Sequence, residues 1–244
     1  MNWRKYHLPE DVAEVLAKSP SVTVISTITE LVNLACGGLG SSHSEVTYDL
    51  PEQGQIVEAI VARVRNGVSV NYPEAYMRRR DPDCLVIGDS QATDQPTFRQ
   101  RFGEEFDGMR TATFEWLAEQ PLAMFGYTAG QPGMGMESVV IAPANAGFFA
   151  LSLALLQGII PESEITGDFV PRSIIYVAPV FRHTHFDGKQ VVVHNRLPNI
   201  HEVFSYNLYP GPSAKKGVYG MLLTQGEREG WVTTHCSTVR VVTP

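Results

Sequence analysis

Apolar residues recur along the chain at the three- to four-residue spacing that is typical of amphipathic helices. After Pro9 and two acidic residues, Val12, Val15 and Leu16 fall on one face, so a helix is predicted there. Further helices are predicted over residues 29–35, 55–65, 98–119 and 145–157, and from about residue 213 to 226 or 230. The segment 145–157 is apolar nearly all round, so we expect that helix to be buried.

Short β-branched runs predict strands between these helices. The predicted strands cover residues 22–25, 68–71, 84–87, 122–127, 138–142, 174–177, 190–194, 202–206 and 231–242. Helices and strands alternate, so the predicted fold class is α/β with a mixed β-sheet flanked by helices. We expect residues 1–244 to form a single α/β domain.

The composition limits the classes of function. Hydrophobic residues make up 43 % of the chain, which is enough for a buried core, and the net charge of -7 argues against nucleic acid or an anionic membrane as a partner. Cys36, Cys84 and Cys236 are widely spaced and odd in number, which favours buried thiols in a reducing compartment. The charged first residues exclude an N-terminal signal peptide of the usual kind, so a cytoplasmic location is expected.

The candidate chemistry is concentrated in residues 206–244. A Gly/Pro loop leads into the adjacent lysines Lys215 and Lys216, an apolar helix follows, and Trp231 and His235 come after it. Gly217 and Gly220 each disfavour that helix by about 1 kcal/mol relative to alanine, so an extended hairpin is the alternative. A solvated lysine pair at a helix start is the simplest interpretation of Lys215 and Lys216.

This order of residues resembles the end of the N-terminal domain of GTP-type phosphoenolpyruvate carboxykinases. In that family a Tyr-Gly-Gly loop precedes a Gly-Lys-Lys helix start, a Glu-Gly-Trp turn follows the helix, and Glu-His opens a strand. Here the run Ala214-Lys215-Lys216 is followed by Glu229-Gly230-Trp231 and then by His235. The resemblance implies the fold of that N-terminal, substrate-side domain.

The resemblance also implies functional roles. Lys216 and His235 would bind Mn²⁺ or Mg²⁺, Lys215 would act with them in catalysis, and Tyr209, Gly211 and Ser213 would form the substrate loop. The substrate would be oxaloacetate or phosphoenolpyruvate, and GTP or ATP would bind to the complete protein. The chain contains no P-loop, so we expect residues 1–244 to be the N-terminal part of a longer protein, with the nucleotide-binding domain downstream.

A lysine can bind a metal ion only when its amine is neutral, which is unfavourable by roughly 4–5 kcal/mol at pH 7 for an unperturbed lysine. The neighbouring Lys215, the positive end of a helix that begins near residue 213 and the cation itself would all favour the neutral amine of Lys216. A nitrogen pair favours manganese over magnesium, which prefers oxygen ligands.

The chain departs from the family at the substrate arginine. In the family a segment similar to Asp-Val-Ala-Arg-Val-Glu-Ser holds the substrate carboxylate, but the corresponding run here carries Val86 or Ile87 at the arginine position. Three arginines lie just upstream, and Arg78, Arg79 or Arg80 could replace the family's arginine, because a guanidinium binds carboxylates in a bidentate manner. Of these, Arg80 is the candidate site residue. A solvated helix end is the alternative role for these arginines.

Two other functions stay open. A non-catalytic or regulatory relative would keep the fold without the substrate arginine. A cupin-like metalloenzyme would use His183 and His185, which would face the same side of a strand, together with His194 and His201.

Overall fold

Two β-sheets and seven α-helices make up the part of the chain that the computed structural model describes, which is residues 2–72, 84–91, 93–130, 135–165, 169–208 and 216–234. The helices are α1 (Glu10–Lys18), α2 (Ile28–Ala35), α3 (Phe98–Phe102), α4 (Phe106–Ala118), α5 (Gly147–Gln157), α6 (Phe181–Thr184) and α7 (Lys216–Arg228). The strands are β1 (Val22–Val24), β2 (His43–Leu50), β3 (Gly54–Val64), β4 (Gly67–Asn71), β5 (Leu85–Ile87), β6 (Leu122–Ala129), β7 (Met136–Pro143), β8 (Ser173–Val177), β9 (Val192–Arg196) and β10 (His201–Ser205). Short 3-10 turns cover Asn2–Lys5, Ala144–Ala146 and Glu162–Glu164.

The larger sheet has seven strands in the order β1-β6-β7-β8-β10-β9-β5. The β6–β7 and β10–β9 pairs are antiparallel, whereas β1–β6, β7–β8, β8–β10 and β9–β5 are parallel. The predicted α/β class with a mixed sheet flanked by helices is therefore confirmed. Strands β2, β3 and β4 form a separate antiparallel sheet.

Helices cover both faces of the larger sheet around the interior strand β10. Successive strand residues point to opposite faces, so Glu202, Phe204 and Tyr206 face one side while His201 and Val203 face the other. Helix α4 packs on the first side, where Phe114 and Thr113 contact the aromatic residues of β10. Helix α7 packs on the second side.

Most predicted elements are present with small shifts of their ends. Helix α1 buries Val12, Val15 and Leu16, the three residues that predicted it. The predicted helix over 98–119 is instead two helices, α3 and α4, because the chain turns at Gly103 with a φ of 83°.

The helix predicted over residues 55–65 is wrong, because these residues form β3. Ile60 and Val64, which supported the helical spacing, are 37 % and 47 % exposed, whereas Ala59 and Val61 are buried. The segment is rich in Val and Ile, and β-branched side chains favour a pleated strand over a helix. The neighbouring strand β2, which pairs with β3, was not predicted.

The prediction that 145–157 is fully buried is confirmed only for its first part. Helix α5 buries Phe148, Phe149 and Leu151, but Leu155 and Leu156 near its end are 66 % and 60 % exposed. No helix in the described part of the chain is long and apolar enough to cross a membrane.

Candidate functional site

A cleft of about 770 Å³ lies between helix α7 and the outer strands of the larger sheet. Its walls come from β5, β9 and β10 on one side and from α7 and the segment after it on the other. The lining residues are Cys84, Leu85, Ile87, Thr93, Asp94, Gln95, Val192, His194, Arg196, His201, Tyr219, Gly220, Leu223, Thr224, Glu227, Trp231 and Thr233. This volume is within the usual range of roughly 300–1,000 Å³ for small-molecule sites.

Two glycines allow α7 to pack closely against the sheet. A Cβ atom at Gly220 would lie 2.5 Å from Cε1 of His194, and one at Gly217 would lie 3.1 Å from Cγ1 of Val203. Glycine disfavours a helix, but at these two positions any larger residue would prevent α7 from packing against the strands. The helical alternative for this segment is correct, and the extended hairpin is wrong.

The end of α7 leads directly into the cleft. The backbone N–H of Trp231 donates to the carbonyl of Gly226 at 2.7 Å, which closes the last turn. Trp231 then contributes to the cleft wall, with 45 % of its surface exposed. Residues 231–234 form no strand, and the rest of the predicted strand 231–242 lies outside the described residues.

Two buried histidines form the floor of the cleft. His194 on β9 and His201 on β10 join through their Nδ1 and Nε2 atoms, which are 2.9 Å apart. Their exposed fractions are 4 % and 1 %. The outer nitrogens, Nε2 of His194 and Nδ1 of His201, are buried without a hydrogen-bond partner in the described chain.

Burial keeps both rings neutral. Loss of solvation lowers the pKa of His194 to about 4, and loss of solvation together with the neighbouring His194 lowers the pKa of His201 well below its ordinary value. Each neutral ring carries one N–H, and one ring donates to the other. The pair therefore presents one outer nitrogen as a donor and the other as an acceptor.

The charges of the cleft are mainly acidic at its rim. Asp94 and Glu227 are exposed there. Arg196 is neutralised by Asp89, since its Nη2 and Nε donate to that carboxylate at 2.6 and 2.8 Å. Burial raises the pKa of Asp89, but the hydrogen bonds from Arg196 outweigh this and hold it below its ordinary value. The described lining therefore suits a cation or a neutral polar group.

The predicted site residues fall mostly outside the described part of the chain. Lys216 is the first residue of α7, three and four positions before Tyr219 and Gly220 of the cleft wall. The other predicted site residues, Lys215, His235, Tyr209, Gly211, Ser213 and Arg80, with Arg78 and Arg79, lie outside the described residues.

The histidine metal site is wrong in its geometry. His183 lies on helix α6 rather than on a strand, and its Nε2 contacts Oε2 of Glu58 at 2.6 Å. His185 follows the helix and contacts the hydroxyl of Thr184 through Nδ1. The structure brings together only His194 and His201, and the described residues contain no group of three His, Cys, Asp or Glu that could hold a metal ion.

The surroundings of two further positions are defined by the structure. Arg110 on α4 pairs with buried Glu202 and with Asp11. Val86 and Ile87, the two residues at which the resemblance would place a substrate arginine, are in β5, where Val86 is fully buried and Ile87 is 6 % exposed. The side chain of Arg196 pairs with Asp89.

The sequence indicates His194 and His201 as candidates but not as a pair. The signal for the pair is the turn at Leu197-Pro198-Asn199, which makes a hairpin of β9 and β10 and sets His201 opposite Arg196, two residue pairs from the pair of His194 and Val203. No sequence signal indicated that Asp94 and Glu227 would line the cleft. Asp94 follows β5 and Glu227 is on α7, and only tertiary packing brings these two elements to β9.

Comparison with known proteins identifies the family of this chain. A family model described as "Domain of unknown function (DUF4914)" matches residues 8–244, so the chain belongs to this family. No curated protein matches the sequence.

Proposed function

We propose that this member of the DUF4914 family is the substrate- and metal-binding domain of a phosphoenolpyruvate carboxykinase-like enzyme. The observation that carries the proposal is that the described part of the resembling segment lines one cleft. Helix α7 begins at Lys216 and supplies Tyr219, Leu223 and Glu227 to the wall, and Trp231 extends the same wall.

In this proposal Lys216 and His235 would hold Mn²⁺ or Mg²⁺, while Lys215 and Arg80 would bind the anionic groups of oxaloacetate or phosphoenolpyruvate. Tyr209 would lie beside the substrate, with Gly211 and Ser213 in the backbone of the same loop. When bound, the cation would offset the negative charge that develops on oxygen atoms during decarboxylation and phosphoryl transfer.

The charge of the cleft supports a division of roles. Asp94 and Glu227 at the rim favour a cation, and they disfavour a free carboxylate. A dicarboxylate substrate would therefore depend on the metal ion and on basic side chains such as Lys215 and Arg80. One of Arg78, Arg79 and Arg80 would replace the family arginine, so substituting each by methionine should weaken substrate binding in one case only, and Arg80 is our candidate.

Manganese titration of the complete protein followed by electron paramagnetic resonance tests the metal site. Lys216→Arg keeps a positive charge but supplies no neutral amine, so we expect it and His235→Gln to lose tight binding, while Lys215→Arg keeps it. Affinity in the parent should rise with pH beyond the titration of the histidine, because binding releases a proton from the lysine. Equal manganese affinity in the parent, Lys216→Arg and His235→Gln would refute this assignment.

The nucleotide site is expected in a second domain of the complete protein. Residues 1–244 alone should then bind neither GTP nor ATP tightly. Calorimetry that shows stoichiometric binding of either nucleotide with micromolar affinity would contradict this. Cys36 and Cys84 are buried thiols, which supports a cytoplasmic enzyme.

A non-catalytic relative is the second candidate, and it is favoured by the buried apolar side chains of Val86 and Ile87, one of which would stand at the arginine position. Metal-dependent nucleotide exchange with oxaloacetate on the complete protein separates the two. Exchange that disappears in Lys216→Arg supports the enzyme, whereas tight manganese binding without exchange supports the binding relative.

A further inference from the structure

A second cavity of about 720 Å³ lies on the other side of the fold, between the three-stranded sheet and helices α2 and α5. It shares no lining residue with the cleft beside α7. Three elements each turn one apolar stripe toward it. The stripes are Ile28 and Val32 of α2, Phe148, Leu151 and Leu155 of α5, and Val68, Val70 and Tyr72 along β4.

The stripes approach each other without closing the space between them. The rings of Tyr72 and Phe148 meet edge to face at 6.0 Å and close one end. At the rim, Val64 and Leu155 are 47 % and 66 % exposed. A concave apolar space with exposed Leu and Val at its mouth gains free energy from an apolar occupant, because that surface is otherwise in contact with water.

The charges at the mouth are of one sign. Arg63 and Arg65 are the charged residues among the fourteen that line the cavity, and none of the fourteen is Asp or Glu. This is unlike the chain as a whole, which has a net charge of -7. The mouth is therefore a local positive region on an acidic protein, and it favours an anionic group there.

The two arginines are not equivalent. Arg63 fastens β3 to α2, since its Nη2 donates to Oδ1 of Asn33 at 2.8 Å. Arg65 lies in the turn between β3 and β4, and its side chain has no hydrogen-bond or ion-pair partner in the described part of the chain. Ser152, one turn from Leu155 on α5, adds a hydroxyl to the lining.

We propose that this cavity binds a small amphiphilic anion, with an apolar chain between α5 and β4 and a carboxylate or similar group on Arg65. The cavity volume is typical of small-molecule sites, which are mostly apolar with a few polar groups that fix the orientation. A planar guanidinium binds a carboxylate through two parallel hydrogen bonds. Neither the cleft beside α7 nor the proposed carboxykinase chemistry is needed for this site.

Decanoate is a suitable probe, with decanol and decyltrimethylammonium as neutral and cationic ligands of the same chain length. Calorimetry on the complete protein should show one saturable decanoate site and at least tenfold weaker binding of the other two. Arg65→Gln should weaken decanoate binding roughly 10- to 100-fold, as expected for loss of a hydrogen bond to a charged group, and should remove the preference over decanol.

Ser152→Leu fills the cavity from the α5 side and should abolish decanoate binding. Leu156→Ala is its matched control, because Leu156 is on the same helix, is 60 % exposed and does not line the cavity. Arg99→Gln is the matched control for charge, since Arg99 is exposed on α3 and outside the cavity. Circular dichroism confirms that each variant is folded.

Several results would overturn the proposal. They are no saturable decanoate binding at millimolar concentration, equal affinity for the three probes, and decanoate binding that survives Ser152→Leu. Concentration-dependent dimerisation that Ser152→Leu removes, without decanoate binding, would mean that a second copy of the chain covers the cavity. Binding to phosphatidylcholine vesicles in place of free decanoate would mean that the cavity contacts a lipid surface.

Discussion

The buried ion pair between Arg110 and Glu202 joins helix α4 to the middle of the larger sheet, and its removal gives a quantitative test of the fold. Glu202 has no exposed surface. It accepts four hydrogen bonds from described residues, two of them from Arg110 at 2.7 and 2.9 Å, one from Asn195 and one from Tyr176. The substitution Arg110→Met removes the positive charge, two of these bonds and the contact of the guanidinium with the ring of Phe114, and it keeps an unbranched apolar side chain.

The expected loss is large because a carboxylate would stay buried without its cation. Breaking a buried pair by removing one partner lowers the free energy of unfolding by roughly 3–5 kcal/mol. A typical domain is stable by only about 5–15 kcal/mol, so the variant should lose a large share of its stability. Burial lowers the pKa of Arg110, but Glu202 and Asp11 together raise it above its ordinary value, so the guanidinium keeps its positive charge.

Urea denaturation followed by circular dichroism measures the effect. Arg110→Met should lose roughly 3–5 kcal/mol, and Arg110→Met combined with Glu202→Met should recover about 2 kcal/mol of that loss, because no buried charge remains. Arg99→Met is the control, since its pair with Glu105 is largely exposed and should contribute less than about 1 kcal/mol.

The reasoning is refuted if Arg110→Met unfolds at the same urea concentration as Arg99→Met. It is also refuted if the double variant is less stable than Arg110→Met, because the cost would then not come from an unpaired carboxylate.

Three further predictions concern Gly220, Glu58 and His194. Gly220→Ala should destabilise the protein by several kcal/mol, because the added Cβ would overlap the ring of His194. Gly108→Ala is the control, since Gly108 on α4 faces open space, and it should stabilise the protein by about 0.5–1 kcal/mol. Thermal unfolding of both variants measures these changes. Glu58→Gln should weaken the attachment of the three-stranded sheet to α6, because Glu58 contacts Arg182 and His183, and limited proteolysis should cut residues 43–71 faster than in the parent. The pKa of His194 is lowered to about 4, so between pH 6.5 and 4 the unfolded chain binds a proton at this residue and the folded chain does not. The free energy of unfolding should therefore be highest above pH 6.5 and should fall by about 3 kcal/mol as the pH decreases toward 4. A His194→Asn variant with the same slope of stability against pH would exclude this histidine as the cause.

The sequence predicted elements best where one strong local signal acted alone. Pro9 and the buried face of α1 identify that helix, and the β-branched runs identify β6, β7 and β8. Residues 55–65 failed because the helical spacing of three apolar residues competed with the strand preference of Val and Ile. The pairing of β3 with β2 and β4 decided the outcome, and that pairing is tertiary.

The cleft was harder to predict than its parts. The helix with its two glycines was predicted, but the reason for Gly220 is a contact with His194, which lies on a different element. One alternative grouped His194 and His201 with His183 and His185 in a strand-borne metal site, but His183 is on α6 and contacts Glu58. Spacing along a chain does not show which histidines meet when a hairpin and a helix separate them.

The strand order has a consequence for synthesis of the protein. Strand β5 pairs only with β9 among the described strands, and β9 follows it far later in the chain. As a nascent chain folds from its N-terminus, Leu85–Ile87 leaves the ribosome long before its partner exists. The three residues of β5 therefore cannot form their ladder until Val192–Arg196 emerges, so this edge of the sheet forms late.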